Sequence, residues 1–248
     1  RRTALGRVVE PGVLTHLSKT NERVWNVQAR NREQRMAIEL LMDPDIQIVT
    51  LVGQAGTGKT LLAMAAGLHS VLRSRRYDCV LVSRPVIPLG KDIGYLPGAK
   101  EEKLAHWMQP IFDNLAYLLH EEETPTGKKK KPAGTTQQRI DRLLNDDVLV
   151  LEALTYIRGR SIPRQYVIVD EAQNLTPHEV KTIISRAGEG TKMVLTGDPY
   201  QIDNPYLDAS SNGLTYVAER LKEQAIHGHV TLKTSERSEV AALAAELL

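Results

Sequence analysis

The sequence predicts an α/β fold, a mainly parallel β-sheet with helices on both faces. Three observations predict it. Short apolar, β-branched runs at residues 46–52, 79–82, 148–151, 166–169 and 193–195 alternate with stretches of helical periodicity. Hydrophobic residues make up 42% of the chain and aromatics only 4%, with Phe112 the sole phenylalanine. The core must then be mostly Leu, Val, Ile and Ala, which suits a parallel sheet covered by helices. The first apolar run ends in Gly53-Gln54-Ala55-Gly56-Thr57-Gly58-Lys59-Thr60, and an apolar helical pattern starts directly after it.

That octet reads G-x-x-x-x-G-K-T in the strand–loop–helix context of a P-loop. Its four fixed positions match by accident in a chain of this length on the order of 1% of the time. The glycines let the backbone curl so that successive N–H groups point at phosphate oxygens. The helix behind adds its free amides and the positive end of its dipole. Lys59 can reach the β- and γ-phosphates, and the Thr60 hydroxyl can ligate Mg²⁺.

The other elements follow in order. Residues 1–26 have weak periodicity and a basic start, and read as an arm, a linker or a short hairpin. A helix begins after Asn31, an N-cap with Gln34 at the third helical position in a capping-box arrangement. It ends at Asp43-Pro44. The P-loop helix runs to about residue 73 and leads to the strand at 79–82. Ser83-Arg84-Pro85 closes that strand, at the edge where open α/β sheets place ligand-contacting loops. Residues 88–98 are too rich in Gly and Pro for a regular element. Trp107, Ile111, Leu115 and Leu118 keep helical spacing over 100–120 and belong to the core. Residues 121–136, with lysines at 128–131, read as a flexible insertion whose charge run is solvated. A short helix at 136–144 precedes the strand at 148–151.

The strand at 166–169 ends in Asp170-Glu171. A helix follows with Thr176 at the N-cap, Pro177 at N1 and Glu179 at N3. The strand at 193–195 leads to Gly197-Asp198-x-x-Gln201. Residues 212–224 look helical, 230–232 close the sheet, and 238–248 form a last helix. The residues 27–248 read as one domain, with no internal repeat.

Net charge is +2, too near neutral to argue for nucleic acid by itself. The single cysteine, Cys79, rules out an internal disulfide and fits a reducing, cytoplasmic setting. It lies beside a strand, as a buried small hydrophobe does. No signal peptide is visible and no apolar run spans a bilayer. The chain starts at Arg1 and stops at Leu248 in a helical pattern, which reads as part of a longer protein.

Asp170 is placed to hold Mg²⁺ together with Thr60, and Glu171 to activate the attacking water. Without a P-loop upstream, the same pair would read as two carboxylates at a helix start. Gln201 can bond both water and γ-phosphate, as a sensor; an ordinary Gly-Asp-Pro turn is the plain alternative. The Gln34 amide can pair with the donor and acceptor of adenine's edge, which makes ATP the expected nucleotide, besides its capping role. Arg237 can stabilise transition-state charge from its own subunit or a neighbour. Arg84, Arg158 and Arg160 are candidate RNA-backbone contacts, or solvated arginines. The histidines show no metal-ligand spacing.

These residues in this order resemble the PhoH family of P-loop ATPases, most closely the ATPase half of its PhoH2 (PIN–PhoH) members. The likeness runs from about residue 31 to 248. Its most specific parts are Gly56-Thr57-Gly58-Lys59-Thr60, Asp92-Ile93-Gly94-Tyr95-Leu96-Pro97-Gly98, Tyr156-Ile157-Arg158-Gly159-Arg160-Ser161, Asp170-Glu171-Ala172-Gln173-Asn174 and Gly197-Asp198-x-x-Gln201-Ile202-Asp203. The resemblance implies a RecA-like core like that of superfamily 1 helicases. It implies ATP and Mg²⁺, single-stranded RNA as partner, and a homo-oligomeric, hexameric ring. It also implies an upstream PIN ribonuclease domain in the full-length protein. Gln34, Arg84, Gln201 and Arg237 match helicase-like motif positions in kind. The segment before residue 31 lacks a PIN domain's acidic cluster and strand order, so ribonuclease activity is not expected of this chain. There is also no room for a second RecA-like domain, so a neighbouring subunit must complete the ATP site, as in a ring.

Three functions compete at this level. One is an ATP-driven RNA helicase or translocase. Another is an assembly module in which ATP binding sets ring formation without processive action on nucleic acid. The third is a small-molecule kinase, which the Asp170-Glu171 pair and the lack of an arginine-bearing lid oppose.

Overall fold

The computed structural model describes residues 6–10, 13–17, 23–85, 108–120, 122–123, 129–130, 134–157 and 159–236. The Gly- and Pro-rich stretch at 88–98 and the expected helix at 238–248, together with Trp107, Arg158 and Arg237, lie outside the described residues. Two hairpins come first, β1 (Gly6–Glu10) with β2 (Val13–His16) and β3 (Arg23–Val24) with β4 (Val27–Gln28). Then follow α1 (Arg32–Met42), β5 (Ile48–Gly53), α2 (Lys59–Leu72), β6 (Val80–Arg84) and α3 (Gln109–His120). After α3 come β7 (Glu122–Glu123), β8 (Lys129–Lys130), α4 (Thr136–Asn145), β9 (Leu149–Ala153) and α5 (Leu154–Ile157). The chain continues through β10 (Tyr166–Val169), a 3₁₀ turn (Ala172–Asn174), α6 (Pro177–Ile184), β11 (Lys192–Gly197), α7 (Gly213–Arg220) and β12 (His227–Leu232).

Six strands form one parallel sheet in the order β12-β5-β11-β10-β6-β9. Alternate residues feed the two faces, as the pleat requires. Val49, Leu51, Val80, Val82, Tyr166, Ile168 and Val194 pack with α1 and α2 on one face. Ile48, Leu81, Val167, Val169, Met193 and Leu195 pack with α6 and α7 on the other. Burial on both sides explains the near-continuous apolar runs of β5, β6, β10 and β11. Cys79 is buried just before β6, and burial pushes its thiol up, away from reactivity.

Within the expected insertion, residues 122–123 and 129–130 are described, as β7 and β8. β7 and β8 pair antiparallel, setting Glu122 opposite Lys130 and Glu123 opposite Lys129.

The C-terminal end of α1 is held by cations. Lys192 Nζ donates to the carbonyls of Leu40, Asp43 and Ile46 at 2.8, 2.7 and 2.6 Å, and Arg76 Nη1 to Met42 O at 2.8 Å. These carbonyls lack intrahelical donors, and a positive charge there also meets the helix dipole. The Arg7–Asp43 ion pair ties β1 to the same end.

Candidate active site

Strand ends build the site. All six parallel strands point one way, so their C-terminal ends share one edge. There β5 opens into the P-loop, β11 into Gly197-Asp198, β10 into Asp170-Glu171, β6 ends at Arg84, and β9 carries Glu152.

The P-loop is held from behind. Lys59 Nζ donates to Gly53 O and Gln54 O at 2.6 and 3.0 Å. Thr57 Oγ1 donates to Gln54 O at 2.8 Å. Ser235 Oγ donates to Ala55 O at 3.3 Å and the Glu236 amide to Gly56 O at 3.0 Å. Gln34 Nε2 donates to Thr57 O at 3.1 Å. A loop whose carbonyls are tied outward presents its amides inward. Gly56 and Gly58 take φ of +83° and +88°, which glycine adopts without strain. Gly58 caps α2 without any side-chain hydrogen bond, so the first amides of α2 stay open to an anion.

The Gln34 amide is engaged at both poles, its Oε1 accepting the Arg30 amide at 2.9 Å. The capping box of the sequence reading is therefore shifted: Asn31 does accept the Gln34 amide, but Gln34 reaches Arg30 N instead of Asn31 N. Asn31 Nδ2 also donates to Glu236 Oε1 at 3.1 Å, so this end of α1 and the 235–236 segment meet on the loop.

Thr60 and Asp170, 110 residues apart in sequence, meet at 2.7 Å, Thr60 Oγ1 donating to Asp170 Oδ1. β11 lies between β5, which leads into the P-loop, and β10, and adds Thr196, whose hydroxyl donates to the same oxygen at 2.6 Å. Asp170 is 4% exposed. A hydroxyl and a carboxylate are hard oxygen donors suited to Mg²⁺, which takes few protein ligands and completes its shell from phosphate and water. Among the described residues no cluster of three or more His, Cys, Asp or Glu could hold a metal by itself.

Glu171 sits beside Asp170 in the left-handed region, φ +53°, which turns its side chain off the strand direction. Gln173 Nε2 donates to Glu171 Oε2 at 2.6 Å, and Arg84 Nη2 lies 3.4 Å from Oε1. Burial, then the neighbouring Asp170, raises the Glu171 carboxyl, while Gln173, Arg84 and Lys59 pull it back. A carboxylate raised in this way is a better base than a free one.

Gln173 is a site residue that sequence reasoning left without a role. It is fully buried and bridges two loops. Its Nε2 also donates to Gln201 O at 2.9 Å, and its Oε1 accepts the Asp198 amide at 3.2 Å. A Cβ on Gly197 would collide with Gln173 Oε1, so glycine there makes room for the bridge. Thr196 and Glu236 were also unassigned. The signal for Gln173 was a polar side chain two residues past the carboxylates in a segment bound for the core. The Gln201 side chain itself is exposed. Arg160 is exposed and donates to Glu152 Oε2 at 2.5 Å, whereas Arg84 is turned inward onto the carboxylates.

A P-loop, carboxylates on the next strand but one, and a parallel sheet covered on both faces define a P-loop nucleoside triphosphatase with a RecA-like fold. The chain belongs to the PhoH family, whose PhoH-like protein profile matches residues 26–247. It is 55% identical over 237 residues to Protein PhoH2 of Bacillus subtilis, covering 95% of this chain and 51% of that protein. It is 39% identical to Protein PhoH2 of Thermobispora bispora, covering 100% of this chain and 53% of that protein. The chain thus spans about half the length of the curated relatives it matches. Among solved structures, the HK97 bacteriophage large terminase is 12% identical with a TM-score of 0.46, over 87% of this chain and 42% of that one.

Proposed function

We propose that the chain is a Mg²⁺-dependent ATPase whose hydrolysis is coupled to single-stranded RNA, working as a translocating or unwinding module in a homo-oligomeric ring. The observation that carries the ATPase reading is the 2.7 Å contact between Thr60 and Asp170 with Glu171 beside it. In this reading the loop amides and Lys59 bind the phosphates, and Thr60 and Asp170 hold Mg²⁺. That ion supplies charge neutralisation on the phosphates when bound. Glu171 takes the proton of the attacking water, with its direction set by Gln173. Gln201 senses the γ-phosphate, Gln34 reads adenine after its amide leaves the loop, and Arg237 acts as a finger. Arg158 and Arg160 are candidates for the RNA-facing edge; Arg84, turned onto Asp170 and Glu171, no longer fits that role. In the full-length protein an upstream PIN domain would receive the RNA.

The test is steady-state ATP hydrolysis by the chain with and without a single-stranded RNA oligomer, beside Glu171→Gln. RNA is expected to raise wild-type turnover. Glu171→Gln is expected to bind ATP yet turn over about 100-fold slower or less, as for a lost general base. Normal hydrolysis by Glu171→Gln would sink the assignment of the base. Hydrolysis indifferent to RNA at low salt would favour the ATP-controlled assembly module.

A further inference from the structure

The two oxygens of Asp170 have different partners. Oδ1 accepts from the hydroxyls of Thr60 and Thr196. Oδ2 faces Arg84 Nε at 3.5 Å, and Nη2 of the same guanidinium lies 3.4 Å from Glu171 Oε1. The register puts it there. Ser83 pairs with Val169 across β6 and β10, so Arg84 lies level with Asp170. The Arg84 side chain is 14% exposed, so solvent screens this attraction weakly.

The distances separate two kinds of contact. The hydroxyls and Gln173 bind the carboxylates at 2.6–2.7 Å and fix their position. Arg84 stands farther off and supplies mainly charge. A divalent cation taken by Asp170 must share that carboxylate with the guanidinium, and two cations on one carboxylate repel. A cation that arrives with a triphosphate brings the compensating negative charge; a bare one does not.

We propose that Arg84 competes with the divalent metal for Asp170, so that the site takes metal together with nucleotide and resists metal alone. This rests on the reading of Thr60 and Asp170 as the metal-binding pair. Arg84 then sets the metal concentration at which the site loads, and partly offsets the charge of the carboxylate pair at other times.

Mn²⁺ is the probe, its dissociation constant read by electron paramagnetic resonance with and without ADP. Wild type, Arg84→Gln, Arg84→Lys and Asp170→Asn are compared. Without nucleotide, Arg84→Gln is expected to bind Mn²⁺ about 5- to 10-fold more tightly, the scale of one weakly screened charge contact. With ADP the gain shrinks. Arg84→Lys, whose single ammonium cannot span both carboxylates, falls between. ADP affinity in EDTA is expected to stay within about twofold of wild type. Unchanged or weaker Mn²⁺ binding by Arg84→Gln overturns the inference. So does a loss of ADP affinity in EDTA, which would make Arg84 a phosphate ligand. If Asp170→Asn binds Mn²⁺ as wild type does, the metal-binding pair falls and the inference with it. If Asp170→Asn loses Mn²⁺ while Arg84→Gln changes nothing, only the inference falls.

Discussion

Lys192 is 1% exposed and places its ammonium on three backbone carbonyls. Burial brings it down from 10.5 to about 7; Asp43 works against this, and Arg76 and Arg7 add to it. The folded value lies below the unfolded one. Between about 7 and 10.5 the native chain therefore binds fewer protons, and stability rises with pH across that window. Below about 7 the cost of burying the charge is present in full. Chemical denaturation of wild type and Lys192→Met at several pH values should show wild type gaining on the variant by up to about 1 kcal/mol per pH unit. A flat difference would mean that the three acceptors keep all three ammonium protons in place. At the catalytic edge, Gln173→Ala frees Glu171 and the 198–201 turn together. Turnover should fall by about 10- to 100-fold, the range for a misplaced catalytic group, with ATP affinity changed little. Gly197→Ala should mimic it by pushing Gln173 aside, and single-turnover kinetics beside nucleotide binding would show both. Lys59, Thr60, Asp170 and Glu171 were legible because their spacing is local to a strand end. Gln173 was not, because its partners on the 198–201 turn are 25 and 28 residues away and meet it only in the folded sheet.

Among the elements, the start of α6 was read to the residue. Thr176 accepts the Glu179 amide at 3.2 Å, and Glu179 Oε2 accepts the Thr176 amide at 2.9 Å, completing the capping box with Pro177 at the first position. Thr176→Ala should cost about 1 kcal/mol, visible as a lower Tm with ATP affinity unchanged. The central strands were equally plain, since burial on both faces leaves near-continuous apolar runs. β12 was seen only at its apolar end. Its first half, His227-Gly228-His229, carries no apolar signal. It is held instead by Thr50, whose hydroxyl lies 3.0 Å from His227 Nε2 and 2.8 Å from His229 Nδ1. A cross-strand polar chain of this kind leaves no periodicity to read. The order of strands was also hidden. Nothing in the sequence puts β11 between β5 and β10, yet that position brings Thr196 onto Asp170.

At the scale of the molecule, the proposed ring makes a separate demand. If a neighbour completes the site, Glu171→Gln with ATP should hold the largest assembly, because it binds nucleotide without clearing it. Light scattering coupled to size-exclusion, with and without ATP, checks this; a mass independent of nucleotide would detach hydrolysis from assembly. The arrangement behind the P-loop adds something else. Gln34, near the start of the α/β core, and Ser235-Glu236, near the end of the described chain, grip neighbouring carbonyls of a single loop. Strain between those two regions is therefore shared by the direct Asn31–Glu236 bond and by Ala55, Gly56 and Thr57. The loop is then a mechanical node, where strain between the two regions is felt by the amides that face the site.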